Sequence, residues 1–117
     1  MKKILVVSQN EALEEGVVPL LKSFDDFDIQ HLIFLPNSTF ERIFEDPPDI
    51  VFIAIGYKDL DGFYIGREIR KINPDVKVVY ISDSEGFAAE AFEENASDYL
   101  VCPVTKERLE VTMSRIN

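Results

Sequence analysis

"DIVFIAIGYKDLDGF", residues 49–63, decides the fold. From Ile50 to Ile55 it contains no polar side chain. A strand buried on both faces of a parallel sheet reads as such a near-continuous apolar run. The run then breaks into Gly56, Lys58, Asp59 and Asp61, which reads as a loop at the strand's C-terminal end. In open α/β sheets that end is where ligands bind. Yet this strand finishes in Ile53, Ala54 and Ile55, none of which can attack, ligate or carry a proton.

The same alternation extends in both directions. Apolar runs at 3–7, 28–34, 49–55, 76–82 and 98–102 predict five strands, separated by helical patterns. Leu13, Val17, Leu20, Leu21 and Phe24 keep helical spacing, although Gly16 and Pro19 weaken that helix. Ser38-Thr-Phe-Glu41 has the capping-box pattern and predicts the start of the second helix, which Pro47-Pro48 ends. The third helix runs from about Phe63 through Ile65, Ile69 and Ile72. The fourth carries Phe87, Ala88, Ala91 and Phe92, with Asn95 as its C-terminal cap. The fifth follows Pro103, is capped by Thr105, and buries Leu109, Met113 and Ile116.

Strands alternating with helices imply parallel pairing, right-handed crossovers and helices on both faces. The expected fold is α/β: a five-stranded, parallel, doubly wound, flavodoxin-like sheet of order 2-1-3-4-5 with five helices. Its functional edge would gather Ser8 and Gln9, Ala54 and Gly56, Ser82 and Asp83, and Cys102.

The 117 residues suit one domain, 1–117, with enough length for a core without crosslinks. One cysteine excludes an internal disulfide, and the single His31 has no His or Cys neighbour in sequence with which to ligate a metal. No cofactor or metal is expected. The net charge of −10 argues against direct binding of nucleic acid by this domain. The apolar runs are too short for a membrane span or a secretory signal, so the expected location is cytoplasmic.

Taken together, "KILVV" with the polar pair after it, "DIVFIAIGYKDLDGF", "VVYIS" and "AFEENASDYLVCPVTKERL" resemble the receiver domains of bacterial response regulators, the CheY-like fold. The tail and "REIRKINPDVKVVYIS" are most similar to receivers of the LytTR class, whose output domains bind DNA. The resemblance covers the whole chain. It implies phosphoryl transfer from a histidine kinase to an aspartate that ends the third strand, assisted by Mg²⁺ on two acids after the first. A hydroxyl after the fourth strand and a lysine after the fifth would bind the phosphoryl oxygens.

Carried across residue by residue, those roles fall on residues that mostly lack the chemistry. The acceptor position is Ala54, the acidic pair is Ser8 and Gln9, and the lysine is Cys102; only the hydroxyl remains, as Ser82. The loop proline falls on Lys58, and the aromatic switch position keeps its aromatic, Tyr99. The resemblance also implies a cis bond before Pro103. An acyl phosphate needs a carboxylate acceptor, and Mg²⁺ needs hard oxygen ligands, so the expected chain is a pseudo-receiver and not an enzyme.

Its function would then be a phosphorylation-independent regulatory module in two-component signalling. It would act on an attached DNA-binding output domain, a protein partner or a second copy. The expected surface is the face of the fourth helix, fifth strand and fifth helix, bearing Phe87, Glu90, Glu94, Tyr99, Arg108 and Arg115. Acids and arginines on one face would let two copies pair by opposite charge. The other reading is a ligand- or metal-responsive switch that refills the old pocket using Asp59, Asp61 and Asp83. The bland reading of Asp59 and Asp61 is a turn around Gly62; that of Cys102 is a small buried hydrophobe.

Overall fold

In the computed structural model, residues 2–8, 14–55 and 62–116 are described. Five strands, β1 (Lys2–Ser8), β2 (Phe27–Ile33), β3 (Ile50–Ala54), β4 (Lys77–Ser82) and β5 (Asp98–Val101), form one sheet of order β2-β1-β3-β4-β5. Every pairing is parallel. This is the doubly wound order expected from the alternation of runs. The three inner strands are buried along nearly their whole length, whereas β2, at the edge, alternates. Val51, Phe52 and Ile53 of β3 are fully buried, at the centre of the core.

The helices are α1 (Glu14–Lys22), α2 (Pro36–Glu45), α3 (Gly62–Ile72), α4 (Ala88–Glu93) and α5 (Lys106–Ile116). α1 packs against α5, and α2 packs against α3. Pro19 lies inside α1. A proline there forfeits a backbone hydrogen bond, and the burial of Val17 and Leu21 offsets that loss.

α2 does not begin at the Ser38 capping box. It starts at Pro36, whose fixed φ suits the first helical position. Thr39 reaches back so that its Oγ1 accepts from the Leu35 N–H at 3.0 Å, satisfying the start of the helix in place of Ser38. α4 is short, six residues after a 3₁₀ turn at Glu85–Phe87. Its expected apolar stripe is only partly buried: Ala91 is in the core, but Phe92 is 54% exposed.

Asn95 closes α4 with φ of 61°, a left-handed position that asparagine tolerates. The Ala96 and Asn95 N–H groups donate back to Ala91 and Phe92 carbonyls, both at 3.1 Å. Thr105 caps α5 as expected, its Oγ1 accepting from the Arg108 N–H at 3.2 Å. Leu109, Met113 and Ile116 are buried, and the Cys102–Pro103 bond is cis.

Candidate functional site: the C-terminal edge of the sheet

Adjacent strand ends place Ser8, Ala54, Ser82 and Cys102 along one edge. Val7 pairs with Ile53, Ala54 with Ile81, and Ser82 with Val101. Beyond the last pair, the Cys102 N–H donates to the Ser82 carbonyl at 2.8 Å. Gln9, Lys58, Asp59 and Asp61 lie outside the described residues.

The centre of this edge is apolar and closed. Ala54 and Ile55 are each 2% exposed. Gly62, which opens α3, lies directly against them. A Cβ there would overlap the Ile55 side chain and stand 3.1 Å from both the Ala54 carbonyl and Ile53 Cγ2. Only glycine allows this approach. Ser8 is 1% exposed, and its carbonyl accepts from the Phe34 N–H at 2.9 Å.

Ser82 has local work to do. Its buried Oγ accepts from the Ser84 N–H at 3.1 Å. Ser84 Oγ in turn accepts from the Gly86 N–H at 3.0 Å and starts the 3₁₀ turn. The Ser84 carbonyl accepts from the Tyr99 hydroxyl, whose ring is turned inward and only 5% exposed. Ser82, Ser84 and Tyr99 thus form one hydrogen-bonded chain from the end of β4 to the edge strand β5.

Cys102 is half-buried. Burial pushes its thiol pKa up, and the nearby Asp83 carboxylate pushes the same way. The thiol therefore stays protonated and poorly nucleophilic, in line with its reading as a small hydrophobe. Asp83 itself is exposed to solvent. Among the described residues no group of three His, Cys, Asp or Glu is arranged to hold a metal. Ser8, Ala54 and Cys102 offer no carboxylate, so the described edge does not fit the Mg²⁺ of an acyl-phosphate site.

Beside this edge, the α4–β5–α5 face is organised by Asp98, which sequence reasoning did not single out. Its carboxylate is 1% exposed. It accepts from Arg108 at 2.9 and 2.8 Å, Thr112 Oγ1 at 2.7 Å, Arg115 at 3.1 Å and the Tyr99 N–H at 2.8 Å. Burial raises the Asp98 pKa, but the Arg108, Thr112 and Tyr99 hydrogen bonds outweigh it and hold the carboxyl below its ordinary value.

The two arginines expected to pair with another copy are therefore held within the chain. Glu94 is likewise turned to Arg67 of α3, at 2.7 Å. Phe87 is half-buried and Glu90 is exposed. The face also presents Val101 and Val111, 37% and 44% exposed. The signal for Asp98 was a charge at the first position of a buried strand, in "DYLV".

Topology and edge together define a CheY-like, doubly wound α/β domain. Residues 4–114 match the family model described as the response regulator receiver domain, and the chain belongs to that family, the receiving component of two-component signalling. It is 26% identical over 116 residues to the sensory transduction protein LytT of Bacillus subtilis, covering 98% of this chain and 48% of that protein. It is 29% identical over 115 residues to the sensory transduction protein LytR of Staphylococcus epidermidis, covering 98% and 46%. The chain spans about half the length of these curated relatives.

Among solved structures, the response regulatory domain of mrkE from Klebsiella pneumoniae superposes with a TM-score of 0.82 at 20% identity, covering 97% of this chain and 93% of that one. The response regulator TrrA of Thermotoga maritima, in complex with Mg²⁺ and beryllofluoride, gives 0.81 at 20% identity, covering both chains fully. Among the described residues no helix is long and apolar enough to cross a membrane.

Proposed function

We propose that this receiver works without phosphorylation, as a regulatory and interaction module. The observation that carries the reading is the end of β3. The acceptor position is Ala54, 2% exposed, between the ends of β1 and β4, where Ser8 and Ser82 are also buried. The Tyr99–Ser84–Ser82 chain supports it, because the switch aromatic is turned inward with its hydroxyl engaged by the chain's own Ser84 carbonyl.

The output surface in this reading is the α4–β5–α5 face, which carries the exposed Val101 and Val111 together with Glu90, Arg108 and Arg115. Its target is a second copy, a protein partner, or an output domain in the same polypeptide. The half-length match to LytT and LytR is consistent with the last. The domain itself, at −10, does not bind DNA. It acts in the cytoplasm as a regulator, with no catalytic residue of its own.

The test is chemical. Intact-mass measurement after acetyl phosphate with Mg²⁺ should show no added phosphoryl group, and beryllofluoride should leave the Ser82 and Tyr99 amide resonances in place. A mass increase of one phosphoryl, or saturable shifts at both residues, would overturn the reading.

A further inference from the structure

The outer side of α2 and α3 carries an aromatic surface that the receiver fold does not require. α2 meets the core with Thr39 and Ile43. The adjoining side presents Phe40, half-buried against the core, and Phe44, four residues apart and so on one face. Phe44 is 74% exposed, the most open of the large apolar side chains described. Phe40 stands edge-on between Phe34, at 5.6 Å, and Tyr64 of α3, at 6.4 Å. Tyr64 is itself 46% exposed. Apolar side chains scattered singly on a surface are ordinary, but here ring contacts join Phe40 to Tyr64 across two helices, and Phe44 lies one turn along α2 from Phe40.

The exposed charges of α2 beside these rings lean acidic, two glutamates to one arginine. Glu41 and Glu45 of α2 are both exposed, and neither forms an ion pair among the described residues. Arg42, the cation of α2, is drawn toward β2, where it donates to Gln30. On α3, Lys71 is neutralised by Glu68 at 3.1 Å. A second copy bound about a twofold axis here would set the glutamates of one α2 against those of the other, between chains of −10 each.

We infer that the α2–α3 face, with Phe44, Phe40 and Tyr64 as apolar anchors and Glu41 and Glu45 as its rim, is a docking surface for a cationic amphipathic helix of another protein. Aromatic anchors supply the desolvated centre of such an interface, and apolar residues at helical spacing would seat on them. Lysines or arginines flanking those residues would meet the glutamates and speed encounter with this acidic chain. The face is distinct from the α4–β5–α5 surface, so the inference does not depend on the proposed function.

The probe is a synthetic helical peptide of about sixteen residues with leucine on one face and lysine on the other, titrated into the isotopically labelled chain. Saturable amide shifts are expected at Phe40, Glu41, Phe44, Glu45 and Tyr64. Affinity should fall roughly tenfold for Phe44→Ala and for Glu41→Lys/Glu45→Lys, and should weaken as salt rises from about 0.05 to about 0.5 M. Both variants change exposed side chains, and an unaltered thermal melt confirms that they fold. Equal binding of a leucine–glutamate peptide, shifts centred on Val101 and Val111, or undiminished affinity of Phe44→Ala would each overturn the inference. So would self-association of the chain that Phe44→Ala abolishes, since a second copy would then be the occupant.

Discussion

Tyr99 of β5 and Ser84, fifteen residues before it, are joined by a hydrogen bond from the tyrosine hydroxyl to the serine carbonyl. The bond ties the β4–α4 turn to the edge strand. Tyr99→Phe keeps the buried ring and removes only this link, so the expected loss of stability is about 1 kcal/mol. Amide hydrogen exchange should quicken locally, at Ser84 and Gly86. Unchanged protection at both amides would show that the turn holds without Tyr99.

Restoring the acceptor alone should not restore the chemistry. Ala54→Asp would place a carboxylate at a strand position only 2% exposed, with no carboxylate at Ser8 and no cation at Cys102. Groups that act as a unit return little rate when one is replaced. The variant should also be destabilised by roughly 2–4 kcal/mol at neutral pH from burying the charge. Intact mass with acetyl phosphate and a denaturant titration measure both effects. Stable phosphorylation of the single variant would contradict the prediction.

Asp98 supplies a pH dependence of known sign. Its carboxyl pKa is held below the ordinary value in the folded chain. The stability it contributes is therefore fully present above the unfolded value of about 3.9 and is lost as pH falls through the lower folded value. Asp98→Asn should cost about 2–3 kcal/mol at neutral pH, because it removes the buried negative charge and turns one of the two acceptor oxygens into an NH2 donor facing Thr112, Arg108 and Arg115. Compared by urea unfolding, the gap between variant and wild type should narrow below about pH 4. A gap that stays constant with pH would assign the loss to packing rather than charge.

Tyr80 offers a stabilising change. It is fully buried beneath α3, and its hydroxyl has no hydrogen-bond partner among the described residues. Burial accordingly pushes its pKa up, against the opposing pull of Arg70. Tyr80→Phe removes an unsatisfied buried group and should stabilise by up to about 1 kcal/mol. The hydroxyl also fills the place of a side chain at Gly66: a Cβ there would overlap it and lie 3.3 Å from Tyr80 Cζ. Gly66→Ala should therefore destabilise the wild type but be better tolerated in the Tyr80→Phe background, despite the helix-propensity gain of about 1 kcal/mol in both. Additive effects in the double-mutant cycle would mean that the two groups are not coupled.

The sheet was legible because its signal is local: five consecutive apolar residues in β3 admit few readings other than a buried strand. Strand order then followed from handedness and from alternation with helices. The helix starts were less legible. Ser38 and Glu41 matched a capping pattern, yet Pro36 and the back-bonding Thr39 competed for the same turn and prevailed. At the edge, Ala54, Ser82 and Cys102 could be placed from the family register alone. The Asp98 network could not, because Arg108, Thr112 and Arg115 lie ten to seventeen residues away and meet the carboxylate only when α5 docks on β5. That same docking turns the arginines from free surface charges into internal partners.

Helix α4 is held at both of its ends. Before it, Tyr99 grips Ser84; after it, Arg67 holds Glu94, and Arg70 donates to the Asn95 carbonyl at 3.0 Å. Mechanically it is a short beam with fixed supports. A load on its span, such as a partner pressing on Glu90 or Phe92, cannot swing it about a free end. The load passes into α3 at one support and into β5 at the other. Each support is modest, since an exposed ion pair or a single neutral hydrogen bond contributes about 1 kcal/mol, so the beam yields by releasing one support rather than by bending. Which support gives way first sets the direction in which the domain deforms, toward α3 or toward β5.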